Sequence, residues 1–196
     1  MKENLKFKGI LLDENDNEIP GTSFVGWHSR SMAVTCCIIS KTRDGQYQFF
    51  LEKRGPGCPD NVGKYCMPCG YLGWGESLRE GAVREAYEET GLKLNPKDLM
   101  FAGINDDPKE NRENVTVRFV VEVPEKDLLE VIYNNDLNSL ERGGEEKEVD
   151  ELVLVPYFYV KEHEDDFAFN HNEVIKDVMD NLEKIKGGQF YKDSLC

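Results

Sequence analysis

The sequence predicts an α/β fold, on three observations. Apolar segments with strand patterns lie at 32–40, 47–52 and 115–123. Two segments at 77–91 and 173–186 have helical periodicity together with start and stop signals. Their order is strands, helix, strands, helix, within 196 residues, about the length of one domain.

Residues 1–30 are expected to form a short strand or hairpin ahead of the core, because Asp13-Glu14-Asn15-Asp16-Asn17 and Pro20-Gly21 are turn clusters. Met32 to Ser40 is apolar on both faces and partly β-branched, as a central strand should be. Asp44-Gly45 then turns the chain. Tyr47, Phe49 and Leu51 alternate with Gln46, Gln48 and Glu52, which predicts the paired strand. Gly55-Pro56-Gly57-Cys58-Pro59 reads as a loop. Ser77 with Glu80 three residues on is a capping box, and Gly91 is a left-handed stop. Val115, Val117, Phe119, Val121 and Val123 alternate with Thr116, Arg118 and Glu122, predicting a half-buried strand; Leu152 to Val155 predicts another. In the last helix Asn172 is the expected cap and Gly187-Gly188 the stop. Val174, Val178, Leu182 and Ile185 make its apolar face. The acidic run Glu145-Glu146-Lys147-Glu148 reads as a solvated loop.

The composition narrows the function. Hydrophobic residues make up 39% and charged residues 32%, which suits a soluble globular enzyme. No stretch reaches the ~18 apolar residues of a membrane span. The start, Met1-Lys2-Glu3-Asn4, has no apolar region behind it, so a cytoplasmic protein is expected. A net charge of −14 disfavours bulk nucleic-acid binding. It also means that a phosphorylated substrate needs a local positive charge, and a metal ion could supply it. Of the six cysteines, Cys36 and Cys37 sit in an apolar run and read as small buried hydrophobes.

The chemistry concentrates in residues 70–92. Glu85, Glu88 and Glu89 fall at i, i+3 and i+4, on one helix face near the negative end of the helix dipole. Two like charges at ~4 Å cost about 1 kcal/mol in water and about 4 at an effective dielectric of ~20. Arg84 is one compensating cation; a divalent metal is the economical remainder. An all-oxygen set suits Mg²⁺, Mn²⁺ or Ca²⁺ and not zinc. Such an ion binds phosphate oxygens and lowers the pKa of a bound water, and a remaining glutamate can act as general base. Gly70, Gly73 and Gly75 predict a sharply turned loop before the helix, and Arg84 can pair with Glu76 or Glu85.

This segment resembles the Nudix box in full. It reads Gly70, five residues, Glu76, seven residues, Arg84-Glu85, apolar Ala86, one residue, Glu88-Glu89, one residue, Gly91, apolar Leu92. Seven fixed positions at about 6% each give on the order of 10⁻⁶ chance matches in such a chain. The resemblance implies an α/β/α sandwich with a mixed sheet over residues 31–186, flanked by an extension at 1–30 and a tail at 187–196. It implies a Mg²⁺-dependent (or Mn²⁺-dependent) pyrophosphohydrolase that cleaves a nucleoside diphosphate linked to another moiety. Carried over by position, Glu85, Glu88 and Glu89 are the metal ligands with the Gly70 carbonyl, and Glu76 and Arg84 are the orienting pair. The general base varies in the family, which leaves Glu141, Glu145, Glu146, Glu148 and Glu151 open beside the box. Many relatives have Pro-Gly-Gly where this chain has Pro68-Cys69-Gly70.

Other readings compete. Three helical glutamates can be a solvated face, and a Nudix module can bind without cleaving. Cys66-Met67-Pro68-Cys69 with Cys58 invites zinc, but one such pair is a weak signal and packing is the expected role. His28, His163 and His171 are scattered. Phe49, Phe50, Tyr71 and Trp74 are expected as core or loop anchors, Trp74 being the best placed for a ligand. Pro108 and the segment Phe167-Ala168-Phe169-Asn170-His171 are similar to features of ADP-ribose-type members. ADP-ribose or a nucleoside diphosphate sugar is therefore the first substrate expectation, and an oxidised or canonical nucleoside triphosphate the second. A homodimer through residues 1–30 is compatible with the chain, which does not demand one.

Overall fold

The strand Ser31–Lys41 organises the fold, because eight consecutive residues from Ala33 to Ser40 are buried. Alternate side chains of a strand point to opposite faces, so a strand buried throughout must be covered on both. The computed structural model shows that covering. It describes residues 6–13, 15–27, 29–110, 113–134 and 148–188.

In chain order the elements are β1 (Lys6–Gly9), β2 (Phe24–Trp27), β3 (Ser31–Lys41), β4 (Tyr47–Arg54), β5 (Tyr65–Cys66) and β6 (Cys69–Tyr71). Then come α1 (Leu78–Thr90), β7 (Met100–Asn105), β8 (Asn114–Glu122), α2 (Glu125–Asn134), β9 (Val149–Pro156), α3 (Tyr157–Glu162) and α4 (His171–Lys186). Short 3₁₀ turns lie at Pro96–Asp98 and Glu164–Asp166. The chain divides into two units, Met1–Ser31 and Met32–Cys196. In the first, β1 and β2 pair antiparallel and Leu12 bridges Glu18. The second holds a seven-stranded mixed sheet in the order β5-β4-β3-β8-β7, with β6 added on β3 and β9 on β4.

The sheet has two apolar faces. On one, Val34, Cys36, Ile38, Phe50, Val117, Phe119 and Val121 pack with Ala82 and Ala86 of α1 and Leu128 of α2. On the other, Cys37, Ile39, Phe49, Leu51, Val120 and Val155 pack with Val160 of α3 and Val174, Ile175, Val178, Leu182 and Ile185 of α4. This is an α/β/α sandwich. Among the described residues no helix is long and apolar enough to cross a membrane.

The helix signals in α1 are realised as read. Ser77 Oγ accepts from Glu80 N–H, the Glu80 carboxylate accepts from Ser77 N–H, and Gly91 stops the helix at φ 75°. Three expectations are corrected. The polar half of the β4 alternation is not a solvent face: Gln48 and Glu52 are both buried, on the side of the sheet where Phe50 packs with Leu128 of α2. Gln48 is satisfied there by donating to Ser40 Oγ at 3.1 Å and to Glu125 Oε1 at 2.8 Å. The last helix starts two residues early, with Asn170 in the cap position and Asn172 buried inside it. Gly70 lies in β6, paired with Val34, rather than in a turn. Helix α2 was not signalled by the sequence, and of the acidic run 145–148 only Glu148 lies among the described residues.

Replacing Ser77 with Ala should remove the α1 cap and cost about 1 kcal/mol. Urea unfolding checks it: the midpoint should fall with the slope unchanged.

Candidate active site

The box residues meet where the C-terminal half of α1 packs on β6. Arg84 is the hub. Its Nε donates to Glu76 Oε2 at 3.0 Å and its Nη2 to Glu76 Oε1 at 2.7 Å, a bidentate pair. Nη1 donates to Glu85 Oε1 and to Glu88 Oε2, both at 2.8 Å, and Nη2 also reaches the Tyr71 carbonyl at 3.0 Å. One guanidinium thus holds three carboxylates and ties α1 to β6. Glu76 additionally accepts from Gly73 N–H. The Arg84 hydrogen bonds hold the Glu76 carboxyl below its ordinary range.

Two of the helix glutamates are buried, which is unusual for this residue type. Glu89 Oε2 accepts from Cys69 N–H at 3.0 Å. Glu85 lies against Gly70, where any Cβ would collide with its carboxylate. Glycine at position 70 therefore serves close approach, and it is Gly75, at φ 88°, that turns the loop. Glu88 is more open and is held only by its i, i+4 pair with Arg84 among the ion pairs described. A strand without a side chain set against buried carboxylates fits a hard cation: it leaves room for oxygen ligands and for backbone carbonyl approach.

Gly70 also lines a cavity of about 810 Å³. Arg54, Arg118, Cys69, Tyr71, Phe169 and His171 contribute to its walls, as do Asn105, Glu110, Glu113 and Glu173. Arg54 comes from the end of β4 and Arg118 from β8, so two cations from separate strands face a chamber in an acidic protein. The Arg54 guanidinium stands 5.1 Å from the centre of the Phe169 ring. Phe169 is half-exposed and takes φ 53°, a conformation that a bulky residue rarely adopts and that recurs at functional sites.

Several expected residues fall elsewhere. Trp74 is fully exposed and does not line the cavity, whereas Phe169 does. Phe49 and Phe50 are core residues, and Tyr71 is a wall residue. Among the later-loop base candidates, Glu141, Glu145 and Glu146 lie outside the described residues. Glu148 uses its carbonyl to accept from Gly55 N–H, and Glu151 is exposed on β9; neither lines the cavity. Of the carboxylates that do, Asp60 pairs with Arg54 at 3.2 Å, and Glu110, Glu113 and Glu173 carry no sequence signature. Nor did the sequence bring His171 to Cys66 and Cys69, yet their ligand atoms lie within 4.8 Å of one another. His28 lies outside the described residues.

A mixed sheet lies between two helical layers, with buried carboxylates beside a cavity that carries both arginines and carboxylates, which is the α/β architecture of a small-molecule enzyme. The chain belongs to the Nudix family: the NUDIX domain model matches residues 30–178. It is 30% identical over 144 residues to the ADP-ribose pyrophosphatase of Methanocaldococcus jannaschii, covering 72% of this chain and 69% of that protein. Among solved structures it is similar to a mutT/nudix family protein from Listeria innocua, with a TM-score of 0.61 and 23% identity over 80% of this chain and 97% of that one. It is also similar to the NUDIX domain of Shewanella oneidensis NrtR in complex with ADP ribose. There the TM-score is 0.58 and the identity 16%, over 79% of this chain and 90% of that one. The protein is accordingly a Nudix hydrolase, of a family that generally uses divalent metals.

Glu76 supplies a pH test. Its folded pKa is below the ordinary 4.5, so its pairing stabilises the fold fully above that pH and is lost as pH falls through the lower folded value. Unfolding free energy followed from neutrality into acid should drop less steeply in Glu76→Gln than in the parent.

Proposed function

We propose that this hydrolase cleaves the pyrophosphate of ADP-ribose or a related nucleoside diphosphate sugar, with Mg²⁺ or Mn²⁺ as its metal. The observation that carries the reading is the cavity. It joins the box at Gly70 to an aromatic platform at Phe169 and to the guanidinium groups of Arg54 and Arg118. Its size lies in the upper part of the ~300–1,000 Å³ range of small-molecule sites. An aromatic face for a base, cations for phosphates and carboxylates for metal are the three recognition elements that such a substrate needs. The relative in M. jannaschii supports the same substrate class.

In this reading Glu85, Glu88, Glu89 and the Gly70 carbonyl hold the metal. A divalent ion there supplies positive charge to the pyrophosphate and makes a bound water more acidic. Arg84 and Glu76 act as positioning residues: their bidentate pair orients Glu85 and Glu88 and anchors α1 to β6. Glu89 is oriented by Cys69 N–H. Arg54 and Arg118 offset the repulsion that a chain of charge −14 exerts on a phosphorylated substrate. The proton acceptor for the attacking water is drawn from the box glutamates and the cavity carboxylates Glu110, Glu113 and Glu173. Attack on one phosphorus of ADP-ribose gives AMP and ribose 5-phosphate.

The deciding experiment incubates the protein with Mg²⁺ or Mn²⁺ and a panel of ADP-ribose, nucleoside diphosphate sugars, dinucleoside polyphosphates, NADH, and canonical and oxidised nucleoside triphosphates, resolving products by chromatography. AMP with ribose 5-phosphate is the expected result. Monophosphate with pyrophosphate from a triphosphate would replace this reading, and binding without product would make the chain a nucleotide-binding module. Glu88→Gln and Glu89→Gln should each lower kcat by orders of magnitude with circular dichroism unchanged; full turnover in both would remove the metal assignment. Phe169→Ala should raise KM about tenfold with kcat largely kept, as loss of base stacking worth ~1–3 kcal/mol requires.

A further inference from the structure

Cys66 and Cys69 face each other across the β5–β6 connection, with their sulfurs 3.8 Å apart. Cys66 is fully buried, whereas Cys69 lines the catalytic cavity. The pair therefore has one member in the cavity wall and a second directly behind it. Cys36 and Cys37 do not share this arrangement: both are sealed in the core, and burial pushes the Cys36 thiol up to about 12.

We infer that Cys66 and Cys69 form a redox-active dithiol that a hydroperoxide entering the cavity oxidises to an intramolecular disulfide, and that this bond disturbs the carboxylate site. The sulfur chemistry stands on the geometry alone; the effect on turnover rests on the pyrophosphohydrolase reading above.

The step balances. The Cys69 sulfur attacks the terminal peroxide oxygen, the O–O bond breaks, and the departing oxygen takes a proton and leaves as alcohol. Cys69 is then a sulfenic acid. The Cys66 sulfur attacks it, the S–S bond forms, the S–O bond breaks, and hydroxide leaves with the Cys66 proton as water. Two thiols lose two electrons and two hydrogens, and the peroxide gains both. A dithiol reductant reverses the change.

A metal is the competing occupant, since His171 completes a trio with the two sulfurs. Two contacts weigh against it. Met67 N–H donates to His171 Nδ1 at 3.0 Å, so the neutral ring carries its proton on Nε2 and has no lone pair for a metal unless that bond is surrendered. The Arg54 guanidinium, paired with Asp60, interacts electrostatically with both thiols, so a cation already stands where a metal would bring more positive charge.

The consequence follows from position. A disulfide brings the sulfurs to about 2.05 Å. Closing a gap of 3.8 Å must move Cys69 or Cys66. Cys69 N–H holds Glu89 Oε2 and the next residue is Gly70, packed against Glu85. Displacing such outer supports typically weakens metal affinity 10–100-fold.

The test treats folded protein with hydrogen peroxide and reads three things: peptide mass, Mn²⁺ affinity by calorimetry, and turnover. A Cys66–Cys69 link lighter by two hydrogens, with Mn²⁺ affinity and turnover lowered about tenfold and restored by dithiothreitol, is the expected result. Cys66→Ser should keep the reduced parent's affinity and turnover and form no link. No link in the folded parent, or a link that leaves Mn²⁺ affinity unchanged, overturns the inference. So does one zinc per chain bound by these thiols in the protein as purified. If the reduced protein hydrolyses nothing, the substrate reading fails alone, because mass and Mn²⁺ affinity still decide the dithiol.

Discussion

The structure of the site depends on one guanidinium. Arg84 sits on α1 between Glu76, Glu85 and Glu88 and also reaches the Tyr71 carbonyl. Without a cation in that position, the carboxylates at one helix end would repel each other and the negative end of the helix dipole. With it, the same charges fasten the helix to β6. The arrangement tolerates no side chain at position 70 of the facing strand, where a Cβ would meet the Glu85 carboxylate.

The scaffold makes this hub precise. β3 is buried on both faces and pairs with β6 through Val34 and Gly70. The strand that faces Glu85 is thereby fixed to the centre of the sheet rather than suspended in a loop. Ala82 and Ala86 let α1 pack close to the same sheet. A site built on a strand and a helix is held more tightly than one built on loops. The loops are left to supply the cavity walls, and Phe169 in its left-handed conformation is the clearest product of that division.

The dithiol shares the hub's supports. Cys69 has its sulfur beside Cys66 and its amide on Glu89. Residue 69 thus links sulfur chemistry to carboxylate geometry through one backbone group.

Periodicity and capping chemistry are local, and the sequence determined what depends on them. It determined the central strand, the start and stop of α1, the apolar face of α4 and the carboxylate spacing of the box. The alternation in β4 set Gln48 and Glu52 on its polar side, yet both are buried, and Gln48 meets Glu125 of α2, 77 residues further along the chain. The sequence missed α2 and the cap at Asn170 for want of a strong local signal. Only the tertiary structure decided which residues meet at the site. Arg54 and Arg118 come from β4 and β8 and are unremarkable there, and the segment at Phe169 and His171, although singled out by resemblance, held no sign that it would meet them. Their convergence is a property of sheet order, and a one-dimensional pattern holds no information about which strands become neighbours.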